Sequence, residues 1–321
     1  MRRQQGMALI TVLLVVAVVT VISAGIINRQ QVSIRSSANQ LHVRQALQYA
    51  MGGEVLAKAI LQRDFNQGNT SKPVDHLGER WAKLNKPFAL DEGGLLQIQI
   101  IDLTSRFNLN SLVRNEQVDK AAVAQFRRLL LSLQLNAAYT ERLIDWIDAD
   151  DQPSGGYGAE DNQYLLDPPA YRAANREFTD VSELRLILEM TQKDYQLLLP
   201  YVTALPADAT LNINTASARI LTTLADGISY STAQGLVAAR GAEGYSDPAA
   251  IEAQLGGMKL ESQARAVGSR YFQVITDVTV GDRRQVLRSN LYRGADGKVF
   301  VLSRDLGQGA LMPVVVEEEQ E

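Results

Sequence analysis

Residues Met7 to Ile27 read MALITVLLVVAVVTVISAGII, an unbroken run without a charged side chain. At about 1.5 Å per residue, a helix of this length is ~30 Å long and crosses the hydrocarbon core of a bilayer. Arg2 and Arg3 precede the run. The basic end therefore stays in the cytoplasm, and the remainder of the chain is exported. Gln4, Gln5 and Gly6 separate the two arginines from the apolar stretch. A cleaved secretory signal has a shorter apolar region followed by a small-x-small site, for which Ser23-Ala24-Gly25 is the candidate.

The pattern continues beyond Ile27. Val32, Leu41, Leu47, Val55, Leu56, Ile60 and Leu61 recur at near-helical spacing, and no proline intervenes before Pro73. Gly52-Gly53 is a candidate bend. The spacing predicts one helix of about fifty-five residues, half in the membrane and half on a globular head. Basic residues and Gly6 before the apolar run, with a long amphipathic stretch directly after it, resemble a type IV prepilin leader. That resemblance implies a dedicated peptidase that cuts between Gly6 and Met7 and methylates the new N-terminus. Most pilins carry Glu at the fifth mature position; here that position is Thr11. A carboxylate inside the membrane is costly unless paired. A chain without it is expected to be a special, low-copy subunit.

The 321 residues suggest about two domains at roughly 150 residues each. Hydrophobic residues make up 46% and charged residues 21%, which is enough to bury a core. The net charge of −4 argues against a general nucleic-acid binder. The absence of cysteine excludes a disulfide scaffold, a thiolate zinc site, an iron–sulfur cluster and a cysteine nucleophile. With only His42 and His76, a multi-histidine centre is excluded as well.

In the head, Leu95–Leu103 alternates and reads as a strand with one buried face. Helical periods follow over 120–134 and 137–148, then at Pro168–Ala174, Val181–Glu189, Gln192–Leu199, Ala216–Leu224, Tyr230–Arg240 and Asp247–Leu255. Asp180 and Thr191 are candidate N-caps. Tyr271–Val280 and Arg283–Arg293 around Gly281-Asp282 form a hairpin, and Lys298–Ser303 adds a strand. The first strand has no early partner, so it is expected to pair with the C-terminal strands across an inserted helical block.

The loop 145–167 reads DWIDADDQPSGGYGAEDNQYLLD. No Lys or Arg lies between Arg142 and Arg172, so its like charges repel unless a cation offsets them. Hard carboxylate and amide oxygens without His or Cys suit Ca2+. The best ligand candidates are Asp148, Asp150, Glu160 and Asp161, followed by Asp145, Asp151 and Asn162. The spacing is not that of an EF-hand, because Pro153 falls at position six and Ala159 at position twelve. No histidine partner supports general acid–base catalysis.

Residues 211–250 begin LNINTASARILTTLADGISYSTAQGLVAAR and look like a helix-hairpin-helix module with the turn Gly227-Ile228-Ser229. Only Arg219 and Arg240 lie nearby, against Asp226, Glu243 and Asp247, so packing is favoured over phosphate binding. Phe107-Asn108-Leu109-Asn110-Ser111 echoes the Asn-x-Asn pattern, which suggests two related helical units.

Taken together, Arg2-Arg3-Gln4-Gln5-Gly6 before Met7, Thr11, Asp145-Trp146-Ile147-Asp148-Ala149-Asp150, Gly158-Ala159-Glu160-Asp161, Tyr171-Arg172-Ala173-Ala174-Asn175 and Asn212-Ile213-Asn214-Thr215-Ala216 resemble the GspK (XcpX-type) minor pseudopilins of the bacterial type II secretion system. The resemblance implies an α+β fold in which a pilin-like N-terminal helix packs on a small antiparallel sheet, with a mostly helical domain inserted in that sheet. The expected divisions are a leader at 1–6, a membrane segment at 7–27 and a spine with the first strand at 28–104. The inserted domain follows at 105–265, the C-terminal hairpin at 266–305 and a flexible acidic tail at 306–321. It further implies Ca2+ in the acidic loop, a structural rather than enzymatic role, and a single pass through the inner membrane with a periplasmic head. The implied partners are the I- and J-type minor pseudopilins at the pseudopilus tip, with the H type, the major pseudopilin and the prepilin peptidase; nucleic acid is not expected. The alternative is a type IV minor pilin that binds or takes up DNA.

Overall fold

The computed structural model describes residues 4–307, apart from positions 85, 91, 92, 167 and 261. The leader arginines Arg2 and Arg3, Asp167 of the acidic loop and the tail from 308 onward lie outside the described residues. Helix α1 (Gln4–Gln67) is followed by strands β1 (Phe88–Ala89), β2 (Leu95–Asp102), β3 (Phe107–Asn108), β4 (Val113–Arg114) and β5 (Gln117–Val118). Helices α2 (Lys120–Ser132), α3 (Tyr139–Ile147), α4 (Asp161–Tyr164) and α5 (Gln192–Leu198) come next, then β6 (Val202–Thr203) and β7 (Leu211–Asn212). Helices α6 (Ala218–Thr222), α7 (Tyr230–Ala239) and α8 (Ala250–Gln254) precede β8 (Arg265–Ala266), β9 (Tyr271–Val280), β10 (Arg283–Arg293) and β11 (Val299–Asp305).

The main sheet has the order β1-β2-β9-β10-β11 and is antiparallel throughout. The pairing of β2 with β9 places the whole block from Leu103 to Arg270 between two hydrogen-bonded neighbours. One expectation changes: β2 does have an early partner, the two-residue β1, too short to carry a periodicity.

Helix α1 runs unbroken through Gly52-Gly53, the candidate bend. Its sheet-facing stripe is small: Ala46, Ala50, Gly53 and Ala57, with Leu61 at the end. A Cβ on Gly53 would lie 2.7 Å from Thr276 Cγ2, so glycine there permits close approach of helix and sheet. The larger residues that set the helical period, Val32, Leu41, Val55 and Leu56, point to solvent. Glu54 ties helix to sheet: it is buried and accepts from Ser289 and from Arg304 Nε and Nη2.

The inserted block is built twice on one plan. Asn110 accepts from Phe178 N and donates to the carbonyls of Phe178 and Leu205. Asn214 accepts from Tyr245 N and donates to the carbonyls of Tyr245 and Val267. In each unit the preceding asparagine, Asn108 or Asn212, accepts from the backbone N–H of the second. A short parallel pair, β3 with β6 or β7 with β8, closes each unit. Each hairpin turn opens with a positive φ, 56° at Gln134 and 82° at Gly227.

Three helical expectations are corrected. Pro168–Ala174 is irregular and extended, because the paired prolines supply no N–H and Ala173 N is held by Asp161 instead. Val181–Leu186 is a 3-10 segment with an Asp180 cap. The last helix is the short α8.

Candidate metal centre and spine

Helix α3 carries the first half of the centre. Its apolar side buries Leu143, Ile144, Trp146 and Ile147 in the core of the inserted block, and this fixes Asp145 and Asp148 at its C-terminal end. The chain then loops outward and returns at Ala159 and Glu160. Trp146 and Tyr164 meet edge to face with centroids 5.4 Å apart, joining the two ends of the loop. Gly158 makes the return possible, since a Cβ there would fall on Asp145 Oδ2 and Ser154 N. Glu141 holds the far side by accepting from Tyr157 N at 2.8 Å.

One oxygen each from Asp148, Asp150 and Glu160 lies within 4.8 Å of the others. Asp145 is fully buried next to them; its Oδ1 accepts from Ser154 N at 2.8 Å. Among the described residues, no donor reaches the buried acceptors Asp145 Oδ2, Asp148 Oδ1 and Glu160 Oε1. Among the described residues no ion pair reaches any of these four acids. Burial, with Asp150 and Asp145 alongside, pushes Asp148 up to about 7. Burial, then Asp145 and Asp148, pushes Glu160 up to about 7 as well, and Asp145 is raised by its own burial. Orphaned buried oxygens, converging carboxylates and no nearby cation fit a hard divalent ion such as Ca2+.

The other candidate ligands are placed differently. Both Asp161 oxygens are taken, one by Ala173 N at 3.0 Å and the other by Arg172 at 3.1 Å. Asp151 is exposed and accepts from Asn175 Nδ2 at 3.4 Å, and Asn162 is exposed on α4. Asn175 itself was not among the sequence candidates. Its side chain reaches back to Asp150 and Asp151, and its Oδ1 is a further buried acceptor without a donor. An isolated Asn following Ala-Ala carries no sequence signal for this role.

In a second acidic group, Asp64, Asp75 and Glu79, two of the three acids are already engaged. Asp75 is ion-paired to the buried Arg293, and Glu79 accepts from Trp81 Nε1 and His76 N. The helical hairpin of α6 and α7 has its cations turned to internal use. Arg240 is buried on the Ala216 carbonyl, and Arg219 donates to the Ser132 carbonyl.

The spine is exposed from Met7 to Leu41, and only beyond that does the head cover it. Gly6 and Met7 lie in its opening turns. Thr11 Oγ1 donates to Met7 O at 2.9 Å and Thr20 Oγ1 to Val16 O at 2.8 Å, so both hydroxyls are satisfied within the apolar segment.

The chain as a whole has relatives among known proteins. Two family models, both described as type II secretion system protein K, match residues 105–207 and 211–270, dividing where the second Asn-x-Asn unit begins. Type II secretion system protein K of Pseudomonas aeruginosa is 57% identical over 97% of this chain and 95% of its own length. The Klebsiella pneumoniae protein of that name is 37% identical over 95% of this chain and 97% of its own. A crystal structure of the GspK-GspI-GspJ complex from the enterotoxigenic Escherichia coli type 2 secretion system superposes with a TM-score of 0.74 at 27% identity. It covers 85% of this chain and 99% of the solved one.

Proposed function

Because the chain belongs to the type II secretion system protein K family, we propose that it is the minor pseudopilin at the tip of the secretion pseudopilus. There it initiates or caps the fibre that drives folded proteins across the outer membrane. The observation that carries this reading is the single helix α1, bare and apolar over Met7–Ile27 and then buried in the head from Ala46 onward. Lipid and neighbouring helices cover the bare part in turn. Leu41, Val55 and Leu56 then form a face for neighbours, since they lie on the side of α1 away from the sheet and the head leaves them exposed. The I and J pseudopilins are the expected partners, because the similar solved protein was crystallised as a GspK-GspI-GspJ complex. The H type and the major pseudopilin lie further down the fibre. Thr11, already satisfied inside its own helix, demands no amine from a subunit above it, as befits the topmost position. The chain passes once through the inner membrane with its head in the periplasm, and prepilin peptidase cuts between Gly6 and Met7. The role is structural.

Asp145, Asp148, Asp150 and Glu160 would hold Ca2+, with Asn175 at the margin. The ion supplies positive charge among converging carboxylates. The chain supplies the rest: Trp146 and Tyr164 fix the loop ends, and Gly158 lets them meet.

The test is co-expression of the full chain with I and J pseudopilins and the peptidase, followed by purification in mild detergent. A stable ternary complex containing a chain that starts at methylated Met7 is expected. A chain that stays alone at micromolar concentration, or is cut near Gly25, would refute the assignment.

A further inference from the structure

The chain's 36 acids all lie at or beyond Glu54, and Glu54 itself is held by Ser289 and Arg304. Ahead of it, the stretch between the apolar segment and the head carries Arg29, Arg35 and Arg44. The head is therefore acidic and the bare spine below it basic. All three arginines are exposed, and among the described residues no ion pair includes any of them. Orientation in the membrane does not account for them. Cations on this flank work against the signal that Arg2 and Arg3 provide.

Because α1 is one continuous helix, the height of each arginine above Ile27 follows from its rise. Arg29 is ~3 Å along the axis, Arg35 ~12 Å and Arg44 ~25 Å. The headgroup layer is ~5–8 Å deep. Helical side chains lean toward the helix N-terminus, which here is back toward the membrane. Arg29 thus ends among the headgroups, and Arg35 comes within a Debye length of about 8 Å of them. Arg44 stays beyond that range. We propose that Arg29 and Arg35 bind anionic phospholipid headgroups of the leaflet nearest the head, and so set the depth of the spine in the membrane. The occupant is argued from charge and geometry. At about 100° per residue, the two arginines point roughly 120° apart around α1. Lipid surrounds the helix and meets both, whereas one neighbouring helix would meet one face. Their neighbours Asn28, Gln30, Gln31 and Ser33 are uncharged, so no acid on the spine competes. The same anionic surface repels the acidic head and keeps it off the membrane. This inference rests on the reading of Met7–Ile27 as a membrane span.

The test uses the full chain in phosphatidylcholine vesicles that contain a trace of spin-labelled phosphatidylglycerol or spin-labelled phosphatidylcholine. Electron paramagnetic resonance reads the share of each label immobilised at the protein. The wild type is expected to prefer phosphatidylglycerol. Arg29→Gln and Arg35→Gln should each lower that preference by ~2–5-fold, and Arg44→Gln should leave it unchanged. About 1 M salt, where the Debye length is ~3 Å, should erase most of it. Arg2 and Arg3 are the same in every variant and cancel from the differences. Equal association of the two labels, or an equal fall in all three variants, would overturn the proposal. So would an unchanged lipid preference in Arg29→Gln and Arg35→Gln combined with weaker binding of the I and J pseudopilins, which would give these arginines to acids of a neighbouring spine. A chain stripped from the vesicles by an alkaline wash would remove the membrane span, and this proposal with it.

Discussion

At Glu160 the side chain is almost fully buried, one of its oxygens has no donor, and the nearest charges are the negative ones of Asp145 and Asp148. Glu160→Gln keeps the volume and removes the repulsion. In EDTA the variant is expected to melt a few degrees above the wild type, about what 1 kcal/mol gives for a domain of this size. With Ca2+ at 100 times its dissociation constant the wild type should gain about 2.7 kcal/mol and overtake it, while the variant gains little. Asp161→Asn is the matched control: its oxygens are already committed to Ala173 and Arg172, so its Ca2+ response should stay near that of the wild type. Thermal melts of the three proteins in both buffers decide the matter, and a wild-type curve indifferent to Ca2+ would remove the ion. Residue types identified this loop from sequence, because seven acids without an intervening cation leave few other readings. They could not say which oxygens converge. That depends on the close approach at Gly158 and on the start of α4, which turns Asp161 and Asn162 away from Glu160.

Among the elements, α1 and the sheet meet through small residues, so the consequences of adding atoms differ sharply between adjacent positions. Gly53→Leu must displace Thr276 and Leu96 and should cost about 1–3 kcal/mol. A Cβ on Gly52 meets nothing, so Gly52→Ala should stabilise by ~0.5–1 kcal/mol through its helix preference. Urea unfolding of the two variants reads this difference directly, and equal losses would mean that the glycines mark a bend after all. Long periodic elements were legible in the sequence for the same reason that they are stable: α1, β2 and the β9–β10 hairpin repeat one pattern over many residues. The period of α1 nevertheless misled about its faces. Leu41, Val55 and Leu56 point outward, and the sheet is met by Ala46, Ala50, Gly53 and Ala57, with Leu61 joining them at the end. The Asn-x-Asn echo was visible as sequence, but its meaning lies in hydrogen bonds from Asn110 and Asn214 to backbone far along the chain. The two units diverge most where residues 148–177 replace the short link 240–244, and that inserted length is what holds the acidic centre.

The whole molecule has two main apolar cores, one under α1 and one in the inserted block, and the seam between them is polar. Asp102 at the end of β2 accepts from Thr104, Thr215, Ser269 and Asn212, joining the sheet to the second Asn-x-Asn unit. Ser269 also passes its N–H to Asp75, which pairs with Arg293. Asp64 sits beside this seam. Burial first, then Glu79 and Asp75, push its carboxyl up to about 6 from 3.8. The folded state therefore binds this proton more tightly than the unfolded state. Its contribution to stability is complete below 3.8 and is lost as pH rises through about 6. Relative to wild type, Asp64→Asn should gain on the order of 1–2 kcal/mol between pH 4 and pH 7, reduced by partial solvent screening. Melts in excess Ca2+ isolate the effect, and a wild-type-to-variant difference independent of pH would contradict it. The stronger test of the seam is Asp102→Ala. It takes the acceptor from Thr104 N and Ser269 Oγ, and it removes one acceptor each from Thr104 Oγ1, Thr215 Oγ1 and Asn212 Nδ2 at the junction, with no apolar side chain lost from either core. Each core keeps its own apolar contacts, so the lost coupling should appear as loss of cooperativity and not as a uniform fall in stability. Calorimetry of wild type should show the two cores melting together, and the variant should separate them, with the Ca2+-responsive transition belonging to the inserted block. A single transition in the variant, merely shifted downward, would mean that the short backbone connections alone couple the two bodies.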